Sequence, residues 1–245
     1  MKPVLIIQQV PVDTPDYFAD FLDEQKIPYE IRKMHKGDVP PATLAGYSGY
    51  CMLGGYMSVN DEDNFPFLRQ EKALVREALE TGIPMIGHCL GGQLISTALG
   101  GTVTQAPTQE IGWSTIRVSD DEEAKEWFGG RTQIEMFQWH NETFSVPHNA
   151  RLIASNDYCK NQAFIIDGKH IGMQFHCEVK LPKVRQWATE EKADIDALLH
   201  LPSVQSSESI VSTLSKRIPE SNALAHSIYS RWIRSLPGLD QAAPG

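Results

Sequence analysis

The spacing of apolar residues changes repeatedly along this chain, and the changes predict alternating strands and helices. Short continuous apolar runs predict buried strands, whereas apolar positions three and four apart predict helices with one buried face. In the first hundred residues the two patterns alternate, which is typical of βαβ units and a parallel sheet. The strands predicted there are Val4–Ile7, Tyr29–Arg32, Gly49–Leu53 and Ile83–Ile86, and the helices are Asp16–Gln25, Phe65–Thr81 and Gln93–Leu99.

Strand patterns follow one another closely in the next eighty residues, which predicts antiparallel pairs added to the sheet. Asp167-Gly168 has the composition of a hairpin turn between two of them. The predicted fold class is therefore α/β: an open, twisted, mostly parallel sheet with flanking helices, plus antiparallel strands and a helical C-terminal tail. The strands predicted in this part are Gly101–Gln105, Trp113–Val118, Ile134–Gln138, Arg151–Ser155, Ala163–Ile166 and Ile171–Phe175.

After Val179 the pattern becomes helical. Helices are predicted over Lys183–Leu199, Glu208–Arg217 and Ala223–Ser235. This tail is small for an independent domain, so we expect it to pack on the core or to form a dimer contact. The predicted organisation is a main domain over residues 1–180, a helical extension over 181–237, and a disordered tail over 238–245.

The composition of the chain limits the classes of partner that it is expected to bind and the cellular compartment in which it is expected to lie. The formal net charge is −9 and no basic stripe occurs, which argues against nucleic-acid or anionic membrane partners. The N-terminal apolar run is too short for a signal peptide, and no run approaches the length of a membrane span. Four cysteines without a C-x-x-C motif favour a reducing, cytoplasmic location.

No cofactor or metal is expected from the motifs. The chain lacks both G-x-x-x-x-G-K-[ST] and G-x-G-x-x-G, so it has no recognisable nucleotide-binding motif of its own. His140, His170, His176 and Cys177 are the residues from which a metal site would have to be built, and their spacing matches no known zinc pattern.

The segment Ile83–Gly101 carries the strongest chemical signal. A short apolar strand runs into Gly87-His88-Cys89-Leu90-Gly91, and a helix follows at once. Small residues on both sides of Cys89 permit a sharp strand-to-helix turn like the G-x-S-x-G elbow, which sets a thiol at a helix N-terminus. The helix dipole there favours thiolate, so Cys89 is a candidate nucleophile. The alternative is a buried cysteine in an ordinary βα turn.

A candidate base and its orienting carboxylate lie far downstream. His176 and Glu178 are two residues apart after the apolar run Ile171–Phe175, so they face the same side in an extended chain. The carboxylate would fix the imidazole tautomer and stabilise the imidazolium. His140 is the competing candidate, but His176 has its carboxylate two residues on and lies in the better motif. His88, beside the nucleophile, is either a satisfied core histidine or a group that biases the thiolate.

Cys89-Leu90-Gly91-Gly92-Gln93 and Gln174-Phe175-His176-Cys177-Glu178 resemble the motifs of the class I glutamine amidotransferases, whose glutaminase site is Cys-His-Glu. Three further segments, at residues 54–61, 110–113 and 137–144, resemble stand-alone members in consistent order. The resemblance implies the catalytic set Cys89, His176 and Glu178, and an oxyanion hole formed by the backbone N–H groups of Gly55 and Leu90. Gly54, Gln93, Trp139, His140 and Asn141 are implied to bind the substrate.

The implied reaction is hydrolysis of the γ-carboxamide of glutamine through a γ-glutamyl thioester, releasing ammonia and glutamate without a cofactor. Three hypotheses stay open. The chain is a stand-alone glutaminase with an unknown synthase or acceptor subunit, a γ-glutamyl peptidase acting on γ-glutamyl conjugates, or a regulatory or binding protein that kept only the fold.

Two positions depart from the family pattern. Gly92 stands where the family often has His or Met, and we expect this to reshape the pocket and to admit a leaving group larger than ammonia. Cys177 stands where the family usually has Pro between the histidine and the glutamate, which restores a backbone N–H and places a second thiol near the site.

Overall fold

A computed structural model describes residues 1–239 of the chain. Within that range nine strands form one mixed sheet in the order β2-β1-β3-β4-β9-β8-β7-β5-β6. The strands are β1 Val4–Gln8, β2 Tyr29–Lys33, β3 Gly49–Met52, β4 Met85–His88, β5 Val103–Val118, β6 Gln133–Phe144, β7 Arg151–Ser155, β8 Ala163–Ile166 and β9 His170–Met173.

Seven α-helices are described. They are α1 Asp16–Glu24, α2 Phe67–Thr81, α3 Leu90–Ala98, α4 Glu122–Trp127, α5 Leu181–Glu190, α6 Lys192–Leu198 and α7 Ser207–Ile233, and a short 3₁₀ helix spans Met34–Lys36. None of the helices in residues 1–239 combines the length and the apolar character that crossing a bilayer requires.

The sheet divides into a parallel half and an antiparallel half. β2, β1, β3, β4 and β9 pair in parallel, and every pairing among β9, β8, β7, β5 and β6 is antiparallel. The predicted α/β fold with flanking helices and added antiparallel strands is confirmed, although half of the strand pairings are antiparallel. Parallel strands place all their carboxyl ends at one edge, and this edge is where ligands bind in open α/β sheets.

Two apolar layers cover the sheet. Alternate residues of β1 point to opposite faces: Val4 and Ile6 join one core with α1, α4 and α7, whereas Leu5 and Ile7 join the other core with α2 and α3. A third cluster packs α5, α6 and the first half of α7 against β5 and β6. The helical tail therefore covers one sheet face and also reaches the antiparallel half.

The observed elements differ from the prediction in four places. Gly101–Gln105 and Trp113–Val118 are parts of the single strand β5, whose pairing with β6 shifts register between Gln105 and Glu110. No element is predicted between Val118 and Ile134, where the acidic segment forms α4 and Asp121 caps the helix by accepting from Ala124 N at 2.9 Å. Lys183–Leu199 is divided into α5 and α6 at Glu191.

The fourth difference is in the tail, where Glu208–Arg217 and Ala223–Ser235 form the one helix α7 despite Pro219. Proline removes one backbone donor and disfavours an uninterrupted helix. Here buried residues continue at helical spacing on both sides of Pro219, from Leu214 and Ile218 to Ala225 and Ile228. Tertiary packing outweighs the local penalty. Of the disordered tail predicted over residues 238–245, residues 240–245 lie outside the described residues.

Candidate active site

The candidate nucleophile lies at the carboxyl end of β4. Cys89 connects β4 to α3 with φ 49° and ψ −107°, a backbone conformation that non-glycine residues rarely adopt. Its N–H donates to Met173 O of β9 at 2.8 Å, which holds the turn against the neighbouring strand. The side chain is 6% exposed at the junction of two cavities. A strained residue held in this way is typical of a functional turn.

Glycines permit the close approach on which this turn depends. A Cβ added to Gly91 would lie 2.2 Å from Met52 O, and one added to Gly87 would lie 2.4 Å from the carbonyl carbon of Gly91. Real Cβ atoms do not approach other atoms so closely. The first turn of α3 can therefore lie directly over β3 and β4 only because these positions have no side chain.

The candidate base and its carboxylate are in direct contact. His176 Nδ1 lies 2.7 Å from Glu178 Oε1, and both side chains are almost completely buried. β9 ends at Met173, so the pair follows the strand rather than closing it. His176 is instead fixed by an isolated bridge in which its N–H donates to Phe137 O at 2.9 Å.

The electrostatics of this pair favour a charged imidazole. Burial alone would lower the pKa of His176, but the neighbouring Glu178 carboxylate and Cys89 thiol outweigh it and raise that pKa well above its usual value. Burial likewise opposes ionisation of Glu178, and the positive charge of His176 outweighs it, so the pKa of Glu178 is lowered. The site therefore stabilises an imidazolium–carboxylate pair beside the thiol.

His140 belongs to a different network. Its Nε2 lies 3.0 Å from Glu110 Oε2 and its Nδ1 lies 3.0 Å from the carbonyl oxygen of Glu142. Asn156 and Gln162 also donate to the Glu110 carboxylate. Both ring nitrogens of His140 are engaged by Glu110 and Glu142, so the imidazole is held in this network rather than against Cys89.

Four of the five predicted substrate-binding residues, all but Gly54, lie around one polar cavity. Gln93, Trp139, His140 and Asn141 line it together with Gly55 and Cys89. The Gln93 amide donates to Glu142 O at 3.3 Å and to Gln174 Oε1 at 3.5 Å, and the Gln174 amide lies 3.7 Å from Cys89 Sγ. Gln93 is thus linked to the candidate nucleophile through Gln174.

Gly54 and Gly55 bring the loop after β3 next to the start of α3. A Cβ on Gly55 would lie 2.9 Å from Leu90 Cδ2, and a Cβ on Gly54 would lie 3.0 Å from His176 Cε1. The backbone of this loop therefore approaches both the first residue of α3 and the imidazole.

Comparison with known proteins identifies the family. The family model described as glutamine amidotransferase class-I matches residues 22–191. The chain belongs to the class I glutamine amidotransferase family. A crystal structure of a glutamine amidotransferase from Methylobacillus flagellatus is 39% identical, with a TM-score of 0.93 and coverage of 100% of this chain and 99% of that one.

Two relatives extend the comparison. A subunit of the glutamine-hydrolysing GMP synthase from Saccharolobus solfataricus is 37% identical over 157 residues, which cover 62% of this chain and 76% of the relative. A glutamine amidotransferase-like protein of Acanthamoeba polyphaga mimivirus is 26% identical over 210 residues, which cover 85% of this chain and 93% of the relative.

The two departures from the family motifs have clear structural settings. A Cβ on Gly92 would lie 2.5 Å from Met173 O, so this position faces β9. The expectation that Gly92 enlarges the pocket is therefore wrong, because the missing side chain would point at backbone. Cys177 is fully buried and points away from the two cavities at Cys89. Its Sγ lies 3.4 Å from the hydroxyl of Tyr229.

His88 lies in the same buried region as Cys177. Its Nε2 is 3.1 Å from Tyr229 OH, and burial lowers the pKa of its imidazole. A neutral His88 fits the alternative of a satisfied core histidine, with Tyr229 of α7 as its partner. The helical tail thus reaches the layer directly behind the candidate site.

Within residues 1–239, three buried groups bring possible metal ligands together: His88, Cys177 and Glu178; Glu110, His140 and Cys159; and Asp13, His176 and Glu178. Hydrogen bonds and ion pairs already occupy most of these atoms, including His140 with Glu110 and His176 with Glu178. We assign none of these groups to a metal.

Sequence reasoning missed Asp13, Lys183 and Trp187. Asp13 is buried beside the site and receives a hydrogen bond from Lys183 Nζ at 3.0 Å. Asp13 follows the carboxyl end of β1, so the rule that ligands bind at this sheet edge was a signal that could have found it. Trp187 lies on α5 with its ring centroid 5.3 Å from that of His176, and no local motif indicates this contact.

Proposed function

We propose that this protein is a glutamine amidotransferase-type hydrolase that cleaves the γ-carboxamide of glutamine through a γ-glutamyl thioester on Cys89. The observation that carries the proposal is the 2.7 Å contact between His176 and Glu178 at the sheet edge where Cys89 lies strained at a helix N-terminus. A base held by a carboxylate beside a thiol is the arrangement that nucleophilic catalysis requires.

Each residue has a defined task in the proposed reaction. The Cys89 thiolate attacks the γ-carbonyl carbon, and the N–H groups of Gly55 and Leu90 stabilise the resulting oxyanion. His176 gives its proton to the departing nitrogen, the C–N bond breaks and ammonia leaves. Water then loses a proton to His176 and attacks the thioester, which releases glutamate and restores the thiol. Gln93, Trp139, His140, Asn141 and Gly54 hold the amino-acid end of the substrate.

The proposed partners and location follow from the same evidence. Relatives named as subunits of glutamine-hydrolysing GMP synthases support a synthase or acceptor protein that would receive the ammonia. We infer a cytoplasmic location, since the four cysteines are all unpaired thiols. A homodimer formed through the helical tail is part of the same proposal.

Thiol labelling combined with glutamate release tests the proposal. Brief treatment with iodoacetamide near neutral pH should label Cys89 before the other cysteines, because burial raises the pKa of Cys51, Cys159 and Cys177. Glutamine should protect Cys89, and Cys89→Ala should abolish glutamate release.

Cys159→Ala is the matched control, because this thiol lies outside both cavities and is hydrogen-bonded to Asn161 O. Preferential labelling of Cys177 without protection by glutamine would refute the assignment of the nucleophile. Glutamate release that survives Cys89→Ala would refute the reaction.

A further inference from the structure

Two cavities of different chemistry meet at Cys89. The first, of about 400 Å³, contains amide, hydroxyl and imidazole groups, among them Gln93, Gln105, His140 and Asn141; we refer to it as the polar chamber. The second, of about 270 Å³, has walls formed mainly by Val10, Val12, Trp139 and Trp187; we refer to it as the apolar chamber. Gly55, Tyr56, Cys89 and Trp139 line both chambers.

The position of His176 decides which part of a substrate each chamber holds. His176 lines the apolar chamber but not the polar chamber. Gln93 lines the polar chamber but not the apolar one. The general acid must lie beside the nitrogen that departs. The acyl part, with its amino and carboxylate groups, therefore belongs in the polar chamber, and the leaving amine belongs in the apolar one.

Building on the proposed function, we propose that the apolar chamber is a leaving-group subsite and that the preferred substrates are γ-glutamyl amides of apolar amines. A volume of about 270 Å³ is several times the space that a molecule the size of ammonia needs, roughly 30 Å³ for a water in the liquid. The indole rings of Trp139 and Trp187 are 5.6 Å apart, and together with Val12 they form a surface for an alkyl or aryl group.

The charges around the apolar chamber disfavour a carboxylate on the leaving amine. Its charged lining residues apart from His176 are Asp13 and Glu191, both acidic, and none of the described residues that line it is lysine or arginine. The buried cation Lys183 pairs with both Asp13 and Asp16, so its charge is more than balanced. γ-Glutamyl amino acids and glutathione would place a carboxylate in this acidic environment, so the structure disfavours them.

The chemical step differs from glutamine hydrolysis only in the amine that leaves. The Cys89 sulfur bonds to the γ-carbonyl carbon, the C–N bond breaks, and the proton from His176 goes to the departing amine nitrogen. Water hydrolyses the thioester to glutamate. The products are one amine and one glutamate for each amide and water consumed.

A substrate series tests the leaving-group subsite. We expect kcat/KM for γ-glutamylbenzylamide to exceed that for glutamine, and also that for γ-glutamylglycine, by at least about tenfold, because complementary apolar contacts give discrimination of this size. Release of glutamate and of amine should be measured in equal amounts. Glutathione should be used no better than γ-glutamylglycine.

Variants in the chamber wall separate this inference from the proposed function. Val12 is 40% exposed and lines only the apolar chamber, so Val12→Asp should lower the ratio of kcat/KM for the benzylamide to that for glutamine at least about fivefold. Val39→Asp is the matched control at a valine that is 63% exposed and lies outside both chambers, and it should keep the wild-type ratio. Glu191→Lys should improve the use of γ-glutamylglycine.

Glutamine as the best substrate, with a ratio unchanged by Val12→Asp, would overturn the leaving-group subsite and leave the proposed hydrolase standing. Absence of glutamate release from all four amides would also overturn it, and the labelling of Cys89 then decides the proposed function separately.

Discussion

At the scale of single residues, the behaviour of His176 depends on one carboxylate. Two effects oppose each other at this imidazole: burial lowers its pKa, and the charges of Glu178 and Cys89 raise it by more. A raised pKa keeps the proton on His176 into the alkaline range, where it can still be donated to a leaving amine. The position of Glu178, fully buried at 2.7 Å, therefore sets the alkaline limit of the proposed activity.

Replacing Glu178 by Gln should move that limit. Without the carboxylate charge, burial lowers the pKa of His176, so the alkaline limb of the kcat/KM profile should shift to lower pH. The maximum rate should also fall by about 10²- to 10⁴-fold, since the imidazolium loses its stabilising partner. The pH dependence of glutamate release measures both effects. Glu190→Gln, at an exposed glutamate on α5, is the control, and an alkaline limb that stays in place in Glu178→Gln would refute this account.

The sequence motifs predicted a candidate site with its cysteine, histidine and glutamate, because these residues lie in short segments whose local geometry repeats across a family. Asp13, Lys183 and Trp187 could not be predicted in the same way. Their closeness to His176 depends on how α5 packs across the ends of β1 and β9, and long-range packing leaves no periodic signal in the chain. The volumes and linings of the two chambers depend on the same packing.

At the scale of elements, the predicted helices and strands were right where a segment carries one clear pattern of apolar residues. α2 ends at Gly82, which has φ 73° as expected of a left-handed cap. The prediction of two helices in place of α7 was wrong because Pro219 is a strong local signal and the packing of Ile218 and Ala225 is not a local property. The prediction of two strands in place of β5 was wrong for a similar reason. The pairing of β5 with β6 shifts register between Gln105 and Glu110, and the sequence of this irregular part resembles a loop.

The contact between α3 and β3 gives an element-scale prediction. Gly91→Ala adds a Cβ that would lie 2.2 Å from Met52 O, so α3 must move away from the sheet. Overpacking against backbone at this distance should cost about 2–3 kcal/mol, and alanine regains roughly 1 kcal/mol in a helix, so the free energy of unfolding should fall by about 1–2 kcal/mol. Glutamate release should also fall, because Cys89 adjoins the displaced turn.

Urea unfolding followed by circular dichroism measures the change in stability. Gly46→Ala is the control, because a Cβ there meets nothing within 4 Å. Equal stability of Gly91→Ala and the wild type would show that the close approach of α3 is not required.

At the scale of the whole molecule, the tail and the sheet share one core. Trp232 and Tyr229 of α7 pack with Phe18 of α1, and the Tyr229 hydroxyl contacts both His88 and Cys177. The domain boundary predicted near residue 180 remains a prediction. Because of these contacts, we expect the tail and the layer behind the candidate site to unfold together. Global stability should therefore respond to buried charges on either side of the sheet.

Glu71 on α2 is the buried acid whose titration should be visible in global stability. It is fully buried and accepts a hydrogen bond from Gln9 Nε2 at 2.8 Å, yet Oε1 has no partner. Burial raises the pKa of Glu71 from 4.5 to about 8, although the bond from Gln9 opposes the shift. The folded chain thus keeps a proton that the unfolded chain releases between these two values. The contribution of Glu71 to stability is therefore lost as pH rises from the unfolded pKa to the folded one.

Glu71→Gln removes this titration and should flatten the dependence of stability on pH. Between about pH 5 and about pH 7 the advantage of the variant over the wild type, in free energy of unfolding, should grow by about 2–3 kcal/mol, at 1.36 kcal/mol per unit. Glu80→Gln is the matched control, because Glu80 is exposed on the same helix and its replacement should leave the wild-type pH dependence intact. Urea titrations at each pH give the comparison. Parallel stability curves for Glu71→Gln and the wild type would mean that Glu71 is already ionised in the folded protein, and that the interior around Gln9 and Tyr50 accommodates its charge.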